Sequence, residues 1–318
     1  MRAIQITEKG GPEVMQVREV AEPEPGDGEL LVAVEAVGVN YRDVYEREGR
    51  GAAYGKAPLP LIVGAEGAGT VLRGAGEFSE GDRVGWVQAA GSYAERVAVP
   101  VENAVPLPDG TSSELAAAVL LQGMTAHFLC TSTYAVQPGD DVLILAAAGG
   151  VGLLLIQMVK ARGGRVIAVT STEEKAELAR GAGADDTIGY EGFSERAREL
   201  TGGVAVVYDS VGATTFEDGI DALRPRGMMV LFGQSSGPAP AYDPQRLQAR
   251  SLYITRPGLP SYTATREELL ARAGDVLNWV ADGSLDVRIG GRYPLEDARR
   301  AHEDLEARRT TGKLLLLP

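Results

Sequence analysis

Asp141 to Arg180 reads DVLILAAAGGVGLLLIQMVKARGGRVIAVTSTEEKAELAR. Val142 to Leu145 is a short apolar run of the kind a buried parallel strand shows. Ala146 to Gly152, AAAGGVG, is a turn of small residues. Leu153 to Arg162 has the texture of a helix, stopped by Gly163 and Gly164, and Arg165 to Thr170 that of a second strand. Strand, tight turn, helix and strand within about 30 residues form the βαβ context in which a glycine turn carries meaning. Free N–H groups at a helix N-terminus accept a pyrophosphate only where side chains do not shield them. Gly149 and Gly150 allow that approach, with Val151 beside them, and Gly152 lets helix and strand pack closely. The first glycine of the usual G-x-G-x-x-G spacing is absent: Ala147 stands there.

The second strand ends in a further signal. NAD-binding units place an acidic residue there, about 20 residues past the glycines, for the ribose 2′-hydroxyl. This chain has Thr170, Ser171 and Thr172, then Lys175. Hydroxyls and an ammonium suit a 2′-phosphate that a carboxylate would repel, so the expected cofactor is NADPH.

The chain has 318 residues, 44% of them hydrophobic, a length suited to two domains. A formal net charge of −13 argues against a nucleic-acid partner or an acidic membrane surface. The sequence has no run of 18 apolar residues to read as a membrane span. Met1 to Gln5 begins like a strand rather than a signal peptide, and a cytoplasmic location is expected. Cys130 is the only cysteine, and His127 and His302 are the only histidines. A cysteine-based zinc site is therefore excluded, and His127, in a largely apolar run, reads as a core residue.

Residues 1–110 alternate short apolar runs with Gly and Pro turns and read as an all-β, irregular barrel. From Ser112 the texture turns helical, with one helix to Leu121 and a second after Gln122. Strands at Asp185–Tyr190, Val204–Asp209 and Met228–Phe232 alternate with helices, as in a doubly wound parallel sheet. Thr265 to Ala281 opens like a capping box and runs as an amphipathic helix, Pro294 to Ala307 reads as another, and Lys313 to Leu317 as a last strand. One domain thus interrupts another, at 1–115 and 251–318 for the first and 116–250 for the second.

The chain resembles the medium-chain dehydrogenase/reductase superfamily, and within it the zinc-free NADPH:quinone oxidoreductases related to zeta-crystallin. The likeness rests on Val39-Asn40-Tyr41-Arg42-Asp43, Gly64-Ala65-Glu66-Gly67-Ala68-Gly69, Leu121-Gln122-Gly123-Met124-Thr125-Ala126, the AAAGGVG turn, Tyr208-Asp209-Ser210-Val211-Gly212, Phe232-Gly233-Gln234-Ser235-Ser236-Gly237, Thr255-Arg256-Pro257 and a tail with Arg308 and Gly312. It implies a Rossmann sheet inserted into a GroES-like barrel domain, and a homodimer. Zinc-dependent members carry a Cys near Asn40 and a Gly-His-Glu where Gly64-Ala65-Glu66 stands, so no metal is expected.

The resemblance also implies site residues. Gly149, Gly150, Val151 and Gly152 would carry the dinucleotide, and Ser171, Lys175 and Tyr190 the adenine ribose and its 2′-phosphate. Ser210, Phe232 and Gly233 would line the nicotinamide half, closed by Asn40, Thr125 and Arg308. A substrate cleft between domains would involve Asn40, Tyr45, Tyr54 and Arg256, with a Tyr hydroxyl, the Asn40 amide or the Arg256 guanidinium steadying the developing oxyanion. Three functions fit: a quinone reductase, an enoyl or alkenal C=C reductase, and an NADPH-binding structural or sensor protein with little turnover.

Overall fold

The computed structural model describes residues 1–50 and 57–318. They form two compact units, Met1–Leu121 with Thr263–Pro318, and Gln122–Tyr262. The boundaries lie six and twelve residues beyond those read from the sequence. The first falls inside a helix that continues from one unit into the other, where no change of texture marks it.

In the first unit the strands are β1 (Arg2–Ile6), β2 (Gln16–Glu19), β3 (Glu29–Val39), β4 (Leu61–Ile62), β5 (Glu66–Arg73), β6 (Arg83–Val87), β7 (Arg96–Pro100) and β8 (Ala104–Pro106). This stretch is not all-β. Helix α1 (Tyr41–Glu48) lies within it, capped by Asn40 and ended by Gly49 at φ 71°. Asn40 N donates to Asp43 Oδ2 at 2.9 Å, so Asn-Tyr-Arg-Asp is itself a helix-start signal. Helix α2 (Ser113–Phe128) is continuous through Gly123, where two helices were expected; burial outweighs the weak propensity of one glycine. With the wider turn at Leu129–Thr133 it makes a 21-residue apolar segment long enough to cross a membrane by composition, yet Ala116 to Leu120 are wholly buried inside the protein.

The second unit holds β9 (Asp141–Ile144), α3 (Gly150–Ala161), β10 (Arg165–Val169), α4 (Glu173–Gly181), β11 (Asp186–Ile188), α5 (Phe193–Thr201), β12 (Val204–Asp209), α6 (Phe216–Ala222), β13 (Leu223–Leu231) and β14 (Tyr253–Thr255). All six strands are parallel, in the order β11-β10-β9-β12-β13-β14. This is the doubly wound dinucleotide-binding order, in which the order of strand addition reverses between β9 and β12. Ligands of such sheets bind outside the carboxyl ends of the strands at that point. Helices cover both faces, so β12, VAVVYD, is buried throughout. Helix α3 starts three residues earlier than read, because the glycines form its first turn.

The chain returns through α7 (Arg266–Ala281), β15 (Ile289–Pro294), α8 (Ala298–Glu306) and β16 (Lys313–Leu317). Helix α7 has the expected box: Glu268 N donates to Thr265 Oγ1, and Thr265 N to Glu268 Oε2. A short tight turn at Leu295–Asp297 separates Pro294 from α8, where one longer helix was expected. Strand β16 pairs with β3 in a seven-stranded sheet, and its Leu314 and Leu316 join Leu30, Val32, Val37 and Trp86 in the core.

Gly38, on β3, shows how tight that sheet is. A Cβ there would run into the Glu66 carboxylate and lie 2.5 Å from Ala117 O and 2.7 Å from Lys313 Cε. A Cβ on Gly274, inside α7, would meet nothing within 4 Å. Gly38→Ala is therefore expected to destabilise the protein by about 2–3 kcal/mol, and Gly274→Ala to stabilise it by about 0.5–1 kcal/mol. Urea midpoints of the two variants, read against the parent, check both signs.

Candidate active site

In the barrel unit, Asn40 sits at the end of β3 and is 5% exposed. Its side-chain amide is held on both sides. Nδ2 donates to Glu66 Oε2 at 2.8 Å and to Gly38 O at 3.1 Å, and Oδ1 accepts from Lys313 Nζ at 2.8 Å. Lys313 Nζ also pairs with Glu66 Oε2 at 2.5 Å, and Glu66 Oε1 accepts from Leu121 N at 2.6 Å. Glu66 and Lys313 are essentially inaccessible. Both Asn40 Nδ2 hydrogens are thus engaged inside the unit, which makes Asn40 a rigid wall residue rather than an adaptable donor.

A second buried chain fixes the Asn40 backbone. Arg47, on α1, can only donate, so its 3.0 Å contact to His302 makes Nδ1 the acceptor and puts the proton on Nε2. Nε2 then donates to the Tyr93 hydroxyl at 3.0 Å, and that hydroxyl donates to Asp43 Oδ2 at 3.1 Å. The direction Arg47, His302, Tyr93, Asp43 is forced by chemistry. Because an arginine does not give up its proton, the chain positions groups and does not conduct protons. Burial, helped by the Arg47 charge, holds the His302 imidazole down at about 3, and burial lifts the Asp43 carboxyl to about 6.

Tyr45 is buried on α1, with its ring 6.1 Å from that of Tyr41. Arg308 follows α8 in the left-handed region, φ 57°, and its charge reaches Tyr41, whose hydroxyl donates to Leu305 O. Tyr54 lies outside the described residues.

In the nucleotide unit the three glycines of the turn have different surroundings. Gly149 caps α3, and the nearest atom to a Cβ there would be Ala146 O at 3.2 Å. A Cβ on Gly150 would strike the Gln122 amide, and one on Gly152 would lie 2.5 Å from Ala147 O and 2.8 Å from Ala146 O. Gly152 thus packs against the turn that follows β9 rather than against the strand itself. Gly150 packs against the movable end of the Gln122 side chain, and Gly149 presents the more open backbone. Val151 follows in the first turn, where N–H groups lack intrahelical acceptors. Thr125 is half-buried on α2, and His127, close by on the same helix, is buried.

The ends of β12 and β13 are locked together. Buried Asp209 accepts from Val211 N at 2.6 Å, Gly212 N at 3.0 Å and Thr215 Oγ1 at 2.8 Å. A Cβ on Gly233 would be 2.5 Å from Ser210 O, so only glycine lets the Ser210 and Phe232-Gly233 turns meet. Arg256 Nη1 donates to Leu231 O at 2.9 Å and to Gly233 O at 3.4 Å, bracing the same turn. After β10, Thr172 caps α4 and Lys175 N donates to its Oγ1. Ser171 is exposed, Lys175 half-buried, and Glu173 pairs with Arg180. Tyr190, beyond β11, accepts from Ala146 N at 3.0 Å.

Sequence reasoning missed Lys313, Tyr93, His302, Arg47, Asp43 and Asp209 as site-forming residues. A lone Lys opening KLLLL and an Asp closing VAVVYD are polar residues at the ends of buried strands, which was the available signal. Among the described residues no three of His, Cys, Asp and Glu gather as a metal set.

The comparisons with known proteins agree with this architecture. Residues 26–109 match the family model "Alcohol dehydrogenase GroES-like domain", and residues 150–273 match "Zinc-binding dehydrogenase". The quinone oxidoreductase of Pseudomonas aeruginosa is 44% identical over 326 residues, covering 100% of this chain and 99% of its own. The chain belongs to the medium-chain dehydrogenase/reductase superfamily, in its quinone oxidoreductase branch. The 2-haloacrylate reductase of a Burkholderia species is 38% identical, covering 98% of each chain. The structure of Escherichia coli quinone oxidoreductase complexed with NADPH superposes at a TM-score of 0.96, with 40% identity and full coverage of both chains.

The two buried titrating groups of the barrel unit make a pH prediction. Unfolded, the Asp carboxyl titrates near 3.8 and the His imidazole near 6.5. Between about pH 4 and pH 6 the native state keeps a proton on Asp43 that the unfolded state lacks, and the unfolded state gains one on His302 that the native state lacks. The two contributions oppose each other. Relative to the parent, Asp43→Asn should gain stability as pH rises through this window, because the His302 contribution is left alone. His302→Gln should lose it, because the Asp43 contribution is left alone. Thermal midpoints of the three proteins across the window check the opposite slopes.

Proposed function

We propose that this protein is an NADPH-dependent quinone oxidoreductase that works without a metal. The observation carrying the reading is the end of β10, where Ser171, Thr172 and Lys175 replace the acidic residue of NAD-binding units, beside a glycine turn at the reversal point of the sheet. The residues present suit the nucleotide: an open backbone at Gly149, hydroxyls and one ammonium at the ribose end, and preset turns at Ser210 and Phe232-Gly233. When bound, NADPH supplies a hydride.

The chain's own residues bind and orient. Gly149 leaves the approach to the turn open, Val151 and the first turn of α3 offer backbone N–H groups to the pyrophosphate, and Lys175 and Ser171 hold the 2′-phosphate. Ser210, Phe232 and Gly233 border the nicotinamide, with Asn40, Thr125 and Arg308 completing its surroundings. Tyr45, Tyr54 and Arg256 are assigned to the substrate. Because both Asn40 hydrogens are engaged, the donor to a quinone oxygen is one of the tyrosine hydroxyls or Arg256, and solvent or a tyrosine supplies the proton. A C=C reductase is the second reading, supported by the likeness to the 2-haloacrylate reductase. The family resemblance supports a homodimer.

Oxidation of NADPH and of NADH should be followed with quinones and with 2-alkenals, for the parent and for Lys175→Ala. The reading expects turnover with quinones, preference for NADPH, and a loss of roughly ten- to a hundredfold in NADPH affinity for the variant with NADH little changed. Turnover with alkenals alone selects the second reading, and equal loss for both nucleotides removes Lys175 from the phosphate site.

A further inference from the structure

The glycine turn contains a residue in a conformation its side chain disfavours. Ala146 has φ 50°, in the left-handed region where a non-glycine residue is strained by about 1–2 kcal/mol. Its carbonyl accepts from Gly149 N at 2.9 Å and faces Gly152, where an added Cβ would come within 2.8 Å. The conformation of Ala146 therefore sets where α3 begins relative to β9. A glycine would adopt it freely, and this turn has alanines at 146, 147 and 148. The Ala146 N–H donates to the Tyr190 hydroxyl, 3.0 Å away and 44 residues on in sequence, reaching back from beyond β11.

We propose that Tyr190 does for Ala146, the residue before the missing first glycine, what a glycine at that position would do unaided: its hydroxyl holds Ala146 in the left-handed conformation and so presets the turn on which the dinucleotide pyrophosphate rests. Tyr190 is a positioning residue in this role. The family resemblance assigns it to the ribose 2′-phosphate, and the two roles differ in what they predict. A residue that shapes the pyrophosphate turn acts on every dinucleotide alike, and a residue that contacts the 2′-phosphate acts only on NADPH. The ligand part of this inference rests on the cofactor reading above, and the ligand-free part does not.

The test uses the full chain as Tyr190→Phe, Ala146→Gly and the double variant. Thermal midpoints are measured without ligand, and affinities for NADPH and NADH come from the upward shift each produces. Tyr190→Phe is expected to lower the ligand-free midpoint and to weaken both nucleotides by the same factor, roughly three- to tenfold, the size of one hydrogen bond. Ala146→Gly in the Tyr190→Phe background is expected to recover most of both losses, since glycine needs no help at positive φ. A loss confined to NADPH, an unchanged midpoint with unchanged affinities, or no recovery by Ala146→Gly overturns the proposal. If the parent shifts with neither nucleotide, the cofactor reading fails, and the ligand-free midpoints of the four proteins alone decide the role of Tyr190.

Discussion

The barrel unit is built around one buried ion pair. Lys313 opens β16, Glu66 opens β5, and their contact lies against Gly38 of β3, the Asn40 cap of α1 and the Leu121 amide of α2. Five elements from distant parts of the sequence therefore meet at two charges. Removing such charges from water is expensive, and the arrangement holds only because nearly every polar atom is matched: three donors to Glu66, two acceptors for Lys313. The price of that burial explains the exacting neighbours. Gly38 has no room for a methyl group, and Asn40 has no freedom to rotate. Glu66 is the residue shared with the zinc-dependent members' Gly-His-Glu, and here an ammonium stands against it.

The nucleotide unit follows the same logic with separate braces. The order of its strands puts the carboxyl ends of β9 and β12 side by side at the point of reversal. The loops there are then braced by side chains: Asp209, closing β12, gathers the N–H groups that follow it, Arg256 from beyond β14 ties the carbonyls after β13, and Tyr190 from beyond β11 holds the strained Ala146 after β9. Preset loops of this kind spare the binding step the ordering of flexible backbone. In both units the residues that would touch a ligand are few, and the residues that hold them still are many.

That division decides what was legible in the sequence. The Rossmann unit was plain from DVLI, the glycine turn, RVIAV and VAVVYD, because a parallel sheet covered on both faces needs continuous apolar strands and the ligand needs bare backbone. The choice of NADPH was readable from the end of RVIAVT, because charge type alone separates a hydroxyl from a phosphate partner. The capping box of α7 was readable because its partners are three residues apart. Helix α1 was hidden: its signal, Asn40 with Asp43, lies inside a run of strands and was noted only as a resemblance. The chains from Lys313 to Asn40 and from Arg47 through His302 and Tyr93 to Asp43 join residues as much as 273 and 255 apart, and no local pattern records such pairings. The different surroundings of Gly149, Gly150 and Gly152 were equally invisible, since Gln122 comes from another helix.

The central claim is that Glu66 and Lys313 form one unit on which the barrel site rests. A double-mutant cycle in unfolding free energy tests it most directly, with Lys313→Met, Glu66→Gln and the two together, each also read for its effect on an Asn40→Ala change. Losing one partner strands a buried charge and should cost about 3–5 kcal/mol. Losing both should cost far less than the sum, with a coupling well above the scatter of about 0.5 kcal/mol seen between independent sites. Asn40→Ala should matter less once the pair is gone. Additive losses, with Asn40→Ala unchanged in either background, would contradict the account.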